Sequence, residues 1–151
     1  IDDPINYRAM QKYAEVAEGD VLTTGLGLGL IVHELNQNPK VHSITVVERS
    51  PQVCELVLPY VPLAKVNLIL SDFWAFMEGD VVERDMVIVD LWVTKGKEQH
   101  DQVLRETIRP ANELLRAKYP KAKIVIHGFQ DVTDVQLVKP FAEVWGGERA
   151  A

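Results

Sequence analysis

Five short segments rich in β-branched and apolar residues alternate with segments of helical character along this chain of 151 residues. The predicted strands are 20–24, 42–47, 65–70, 85–90 and 122–127, and the predicted helices are 5–17, 28–36, 51–58, 72–77, 98–118 and 132–145. This alternation specifies a parallel sheet with right-handed crossovers and helices on both faces. We therefore predict a doubly wound α/β fold in a single domain, 1–151. Its first segment, 1–19, contains the N-terminal helix that leads into the sheet.

Two prolines fall inside predicted helices. Pro110 lies within 98–118, where we expect it to kink or divide the helix, and Pro140 lies within 132–145. Only six residues follow the second of these helices, namely 146–151.

Composition excludes several classes of protein. The longest apolar stretch, 25–32, is far shorter than the roughly 20 residues that span a bilayer. No basic and then apolar signal segment opens the chain, so we expect a cytoplasmic protein without a membrane partner. The net charge is −6 and the basic residues are scattered, which argues against a nucleic-acid partner. The lone Cys54 fits a reducing compartment and is predicted to be a buried structural thiol.

Three glycines at alternate positions, Gly25, Gly27 and Gly29, stand directly between the first strand and the next helix. Glycine permits positive φ, and its missing Cβ lets a ligand approach the backbone beside the N–H groups of a helix N-terminus. In doubly wound sheets, ligands bind beyond the carboxyl ends of the strands. Either this loop, with Thr24 and Leu26, is a nucleotide-binding loop, or it is only a tight turn.

Two acidic residues follow the next two strands. Glu48 ends the second strand about twenty residues after the loop, where a carboxylate can accept hydrogen bonds from both ribose hydroxyls of an adenosine. It is otherwise a solvated surface acid. Asp72 follows the third strand, where it can accept from the exocyclic amine of adenine, cap the following helix, or do both.

Four segments in this order, 21–29 (VLTTGLGLG), 46–51 (VVERSP), 70–73 (LSDF) and 85–90 (DMVIVD), resemble motifs of the class I S-adenosylmethionine-dependent methyltransferases. Within that superfamily the spermidine-synthase-like branch is the most similar. The resemblance implies a Rossmann-like methyltransferase fold, S-adenosylmethionine as cofactor and a small-molecule acceptor, and it leaves a homodimer open. It assigns ten residues to the cofactor site: Thr24, Gly25, Leu26, Gly27, Gly29, Glu48, Arg49, Asp72, Phe73 and Asp90. Asp90 is also the candidate catalytic residue.

The chain departs from the family pattern at four places. Thr23 stands where the first motif has an acid, and Val93 stands where aminopropyltransferases have a second acid. The fifth strand ends in His127-Gly128 rather than the Asp-Asn pair of magnesium-dependent O-methyltransferases, so no metal site is expected. The sheet is expected to lack the last two strands of the superfamily.

Several alternatives remain at this stage. A nicotinamide dinucleotide domain shares the glycine loop, but its fingerprint requires glycine or alanine where Leu30 stands. An aminopropyltransferase and a non-catalytic nucleotide-binding domain share the fold, since fold does not imply function. Trp92 either walls the acceptor site or packs, and His127 is either a general base or a structural residue.

Overall fold

The computed structural model describes residues 4–137, which form a five-stranded sheet with helices on both faces. All the strands are parallel, in the order β3-β2-β1-β4-β5. Their bounds are β1 Gly19–Thr24, β2 Val41–Glu48, β3 Val66–Leu70, β4 Met86–Val89 and β5 Lys123–Ile126. The predicted doubly wound α/β fold is confirmed, because β1 and β4 meet where the direction of chain winding reverses.

The helices are α1 Pro4–Val16, α2 Leu30–Asn36, α3 Pro51–Val57, α4 Phe73–Gly79, α5 Gly96–Val103 and α6 Arg109–Lys118. A 3₁₀ turn, Leu58–Tyr60, extends α3. Helix α2 begins two residues later than predicted because Gly29 has a left-handed backbone, with φ +79°. No helix among residues 4–137 is long and apolar enough to cross a membrane.

Side chains of alternate strand residues enter two separate apolar cores, one on each face of the sheet. On β4, Met86 and Ile88 pack with α1, α2 and α3, whereas Val87 and Val89 pack with α4 and α6. All four β4 residues are buried, as the continuous apolar sequence predicts for a strand covered on both faces. The sheet is therefore the middle layer of three.

The segment between β4 and β5 follows one helical path from Gly96 to Lys118, and the predicted division at Pro110 is marked by a π-helical turn over Leu104–Ile108. Proline lacks a backbone N–H and its ring clashes with the carbonyl four residues before it. A wider turn just before Pro110 accommodates both defects, and α6 then begins with that proline in its first turn.

The helix predicted over 132–145 is wrong for the described part, since 132–137 contains only turns, bends and irregular backbone. The reason is a set of contacts with the outer edge of β5. The backbone N–H of Asp134 donates to the carbonyl of Ile124 at 2.8 Å, and the Asp134 carboxylate accepts the Ile124 N–H at 2.7 Å. These bonds satisfy the outward-facing backbone groups of Ile124 and hold the segment out of a helix. The remaining predicted residues, 138–145, lie outside the described residues.

Candidate functional site

A cavity of about 580 Å³ opens at the carboxyl ends of the strands, where the chain reverses its winding direction. This volume lies within the roughly 300–1,000 Å³ of ordinary small-molecule sites. Its lining comes from the ends of β1 to β4, the glycine loop, the start of α2, α1 and the first turn of α4. The lining residues are Asn6, Met10, Thr23, Thr24, Gly25, Leu26, Gly27, Leu28, Leu30, Ile31, Val47, Glu48, Arg49, Ser71, Asp72, Phe73, Trp74, Ile88, Asp90, Leu91 and Trp92.

The three loop glycines all have left-handed backbones but serve two different purposes. A Cβ added to Gly25 (φ +69°) or Gly27 (φ +52°) would meet no atom within 4 Å. A Cβ on Gly29 would lie 3.1 Å from a methyl carbon of Val57 and closer still to Val61. Gly25 and Gly27 therefore present bare backbone to the cavity, whereas Gly29 lets α2 pack closely on α3.

Glu48 connects the end of β2 to the glycine loop. Its side chain is only 8% exposed, and its two carboxylate oxygens accept the backbone N–H groups of Leu26 and Ser50, each at 2.9 Å. A carboxylate offers about four acceptor positions, so each oxygen retains capacity for another donor. Glu48 thus shapes the loop and still lines the cavity.

Asp72 stands after β3 and caps α4, because its Oδ1 accepts the backbone N–H of Ala75 at 3.1 Å. The predicted capping role is confirmed. The carboxylate also lines the cavity, and Phe73 and Trp74 follow it there with ring centroids 5.1 Å apart. This side of the cavity therefore offers a carboxylate beside aromatic surface.

Asp90 follows β4 and is held through its main chain. Its backbone N–H donates to Oγ1 of the buried Thr24 at 2.9 Å, which joins the ends of the two strands at the switch point. The carboxylate itself is exposed to the cavity. Because side chains alternate between the two faces of a strand, Asp90 lies on the same face of the sheet as Met86 and Ile88. Helix α1 covers that face.

Helix α1 forms one wall of the cavity through Asn6 and Met10, one helical turn apart. Neither residue was predicted at the site, because the sequence predicts this helix only as a lead into the domain. It is tied to the end of β5 by His127, whose Nδ1 lies 2.8 Å from the hydroxyl oxygen of Tyr13 and whose Nε2 lies 2.9 Å from Oδ1 of Asn6. Of the two roles considered for His127, these bonds fit the structural one.

Aromatic rings form a row along the rim. Trp92 is half-buried, with ring centroids 6.1 Å from Trp74 and 6.5 Å from Phe129, and the ring of His100 stacks on Phe129 at 4.7 Å. Trp92 and Trp74 also line the cavity, so Trp92 both packs and forms cavity wall. Trp74 was not singled out from sequence, although it stands only two residues after Asp72.

Of the ten residues assigned by resemblance, the structure brings nine to the cavity lining, and Gly29 packs behind it. Cys54 is buried on α3, and desolvation together with the nearby Glu48 raises the pKa of its thiol, as suits the predicted structural residue. Within residues 4–137, no group of three or more His, Cys, Asp or Glu side chains is arranged to hold a metal ion.

No protein-family model matches the sequence, and no curated protein matches it. Among solved structures, 142 chains match. Precorrin 8W decarboxylase from Methanobacterium thermoautotrophicum is 16% identical with a TM-score of 0.54, over 96% of this chain and 69% of that one. A conserved hypothetical protein from Streptococcus pyogenes is 16% identical with a TM-score of 0.50, over 68% of this chain and 60% of that one.

The chain has the class I methyltransferase-like fold. Spermidine synthase from Thermotoga maritima also matches, at 15% identity and a TM-score of 0.48, over 56% of this chain and 33% of that one. The chain thus spans a third of the length of that enzyme and 60% of the length of the streptococcal protein. At these identities the likeness concerns the fold alone.

Proposed function

We propose that the chain binds S-adenosylmethionine in the cavity and transfers its methyl group to a small-molecule acceptor. The observation that carries the proposal is the bare backbone of Gly25 and Gly27, which faces a cavity of about 580 Å³ and has free space where side chains would stand. Close packing explains Gly29 but not Gly25 and Gly27, whereas a nucleoside lying against the loop requires bare backbone at these two positions.

The polar residues of the cavity are ordered along the sheet as an adenosine with an amino-acid tail requires. Asp72, after the edge strand β3, suits the exocyclic amine of adenine, with the rings of Phe73 and Trp74 beside it. Glu48, after β2, suits the ribose hydroxyls. Thr23 and Asp90, at the ends of β1 and β4, are left for the sulfonium end and the acceptor.

The charge of the cavity favours a sulfonium over a dinucleotide. Its charged lining residues are Glu48, Asp72 and Asp90 with the single cation Arg49, a net charge of −2. A pyrophosphate brings negative charge into that field, whereas a sulfonium brings positive charge. Leu30, at the position where a dinucleotide fingerprint requires glycine or alanine, also lines the cavity.

When bound, S-adenosylmethionine supplies a methyl group activated by the adjacent sulfonium. The protein's contribution is to position the acceptor and to exclude water. The exposed carboxylate of Asp90 orients the acceptor nucleophile and accepts its proton, and its own position is fixed by the bond from its N–H to Thr24. Leu91 and Trp92, which follow it in the lining, shield the reacting atoms from solvent.

Isothermal titration of the chain with S-adenosylmethionine, S-adenosylhomocysteine and NAD tests the proposal. We expect binding of the two sulfur ligands and no detectable heat with NAD. Binding of NAD alone would favour the dinucleotide domain. Binding of the sulfur ligands without methyl transfer to any acceptor in a library of small nucleophiles would favour the non-catalytic domain of the same fold.

A further inference from the structure

A series of hydrogen bonds joins the buried side chain of Tyr13 on α1 to the cavity. Tyr13 is fully buried, and its hydroxyl oxygen lies 2.8 Å from Nδ1 of His127, while Nε2 of the same ring lies 2.9 Å from Oδ1 of Asn6. Asn6 lines the cavity. Three side chains from the two ends of the described chain therefore meet at one point behind the site.

The phenol of Tyr13 determines which atom donates and which accepts in each of these hydrogen bonds. A buried hydroxyl that donates to nothing costs about 1–3 kcal/mol, and the imidazole is the acceptor that the structure gives to Tyr13. The phenol therefore donates to Nδ1, which leaves the ring proton of the neutral imidazole on Nε2. Nε2–H in turn donates to Oδ1 of Asn6.

This direction fixes the amide of Asn6. Because its oxygen accepts from His127, its NH₂ group is the part left for the cavity, and among the described residues no protein acceptor binds that group. Asn6 lies on the α1 side of the cavity, the side that Asp90 also occupies. The cavity thus has a neutral donor, held in one orientation, at the end opposite the adenine-side residue Asp72.

We propose that the NH₂ group of Asn6 binds the carboxylate of the methionine moiety, and that His127 and Tyr13 are positioning residues that fix its orientation. This inference rests on the proposed function. The three lining carboxylates disfavour a negatively charged ligand group, and the lining guanidinium, Arg49, stands after β2 on the ribose side. An amide N–H meets the carboxylate without changing the charge of a site that must also hold a sulfonium.

The test compares three ligands on the wild-type chain and on Asn6→Leu. S-adenosylmethionine has the carboxylate, decarboxylated S-adenosylmethionine lacks it, and methylthioadenosine lacks the whole amino-acid tail. We expect Asn6→Leu to weaken S-adenosylmethionine about tenfold, as for a hydrogen bond to a charged group, and to leave the other two ligands unchanged. Gln11→Leu is the matched control, because Gln11 is an exposed amide on the same helix outside the cavity lining.

Each other outcome overturns a distinct statement. Equal losses for all three ligands would make Asn6 a residue of the fold only. Losses for both sulfonium ligands but not for methylthioadenosine would assign the contact to the amino group instead of the carboxylate. A wild-type chain that binds none of the three would reject the proposed function itself, and this inference with it.

Asn6→Asp covers the case in which Asn6→Leu does not fold. It retains an oxygen for His127 but replaces the donor by a negative charge, so the loss for S-adenosylmethionine should be at least as large and the loss for methylthioadenosine absent. Unchanged binding of S-adenosylmethionine by Asn6→Asp would overturn the proposal.

The positioning role has its own signature. Nitrogen-15 NMR of the wild-type ring should show Nε2 protonated and Nδ1 unprotonated. His127→Phe should lose S-adenosylmethionine affinity as Asn6→Leu does while it retains methylthioadenosine, and Tyr13→Phe should give a smaller loss of the same kind. A ring protonated on Nδ1 would overturn the assigned orientation of Asn6.

Discussion

Glu48 shows how one side chain can shape a loop and still line a cavity. The sequence predicts a ribose contact, and the structure adds two backbone N–H groups, those of Leu26 and Ser50, that the same carboxylate accepts. If Glu48 has both roles, its removal should weaken ligand binding and also loosen the loop.

Glu48→Ala should therefore weaken S-adenosylmethionine by about 1.5–3 kcal/mol, the range for hydrogen bonds to a charged group. Titration calorimetry measures the loss, and urea denaturation should show lower stability in the same variant, because the Leu26 and Ser50 donors lose their acceptor. Glu55→Ala, at an exposed position on α3, serves as the control. A loss of affinity under half a kcal/mol would remove Glu48 from the binding site.

Gly27 and Gly96 form a matched pair for testing the loop. Both have left-handed φ, +52° and +78°, and at both a Cβ meets nothing within 4 Å, but Gly27 lines the cavity and Gly96 does not. Gly27→Val should abolish binding, because its side chain fills the space that the ligand needs, with a circular dichroism spectrum that stays α/β. Gly96→Val carries similar backbone strain and should retain binding. Retained affinity in Gly27→Val would reduce the loop to a turn.

Residues that stand directly after strands were predictable, whereas those that reach the cavity from elsewhere were not. The parallel pattern alone places Glu48, Asp72 and Asp90 at one edge of the sheet. Asn6 and Met10 reach the same cavity only because α1 packs across the ends of β1 and β4, which is a tertiary fact. Their spacing of four residues on the inner face of α1 was the available signal.

At the scale of elements, a buried polar cluster joins β2 to the residues that follow α4, precede β4 and follow α6, at positions that the sequence did not predict. Asp80, just after α4, accepts two bonds from Arg84 at 2.9 and 3.0 Å and one from the hydroxyl of Tyr119 at 2.8 Å. Arg84 also donates to Oγ1 of Thr45 at 2.9 Å, and all four side chains are buried. Every member has a partner, as a buried network requires.

This cluster predicts a loss of stability in acid. Burial alone would raise the pKa of Asp80, but the hydrogen bonds from Arg84 and Tyr119 outweigh it, so the pKa lies below its ordinary value. A carboxyl whose pKa is lower in the folded than in the unfolded chain stabilises the fold above its unfolded pKa of about 3.9. That stability is lost as the pH falls through the folded pKa.

Asp80→Asn should therefore cost about 3–5 kcal/mol at neutral pH, because Arg84 would remain buried without its counter-charge. It should also flatten the dependence of unfolding free energy on pH below about 4. Urea denaturation at a series of pH values measures both effects. Glu83→Gln, which breaks the exposed 3.5 Å pair with Lys121, is the control and should cost under about 1 kcal/mol. Equal costs for the two variants would contradict the role assigned to the cluster.

Element types were predictable where one helical or strand pattern dominated, and failed where a tertiary contact decided the backbone. All five strands and the helices up to Lys118 occur as predicted, with ends that differ by at most two residues. At 132–137 the apolar spacing is helical, yet Asp134 is fixed to the edge of β5 and to Arg116 at 3.0 Å. Such a contact, ten residues from its partner strand residue, leaves no local signature in the sequence.

At the scale of the whole molecule, the fold follows from the alternation of strands and helices, but the strand order β3-β2-β1-β4-β5 and the cavity follow from how they assemble. The order brings β1 beside β4, so that Thr24 and Asp90 meet. It also brings the end of β5 beside α1, so that His127 meets Asn6 and Tyr13. Sequence motifs predict Glu48, Asp72 and Asp90 in the candidate site, and only the assembled molecule brings Asn6 to the same cavity.

The end of the cavity near Thr23 and Asp90 gives the prediction that separates the transferase classes. An aminopropyltransferase needs a base beside its amine acceptor, and here Val93 takes the place of the second acid, is 89% exposed and lies outside the cavity lining. A methyltransferase must instead accommodate the full methionine moiety, which our proposal places beside the lining residues Thr23, Asn6 and Asp90. We therefore expect S-adenosylmethionine and S-adenosylhomocysteine to bind at least as tightly as decarboxylated S-adenosylmethionine in titration calorimetry.

We also expect no spermidine from putrescine in a coupled assay with the decarboxylated cofactor. Spermidine formation would contradict the methyltransferase proposal directly, because it would require a base for the amine where Val93 replaces the second acid.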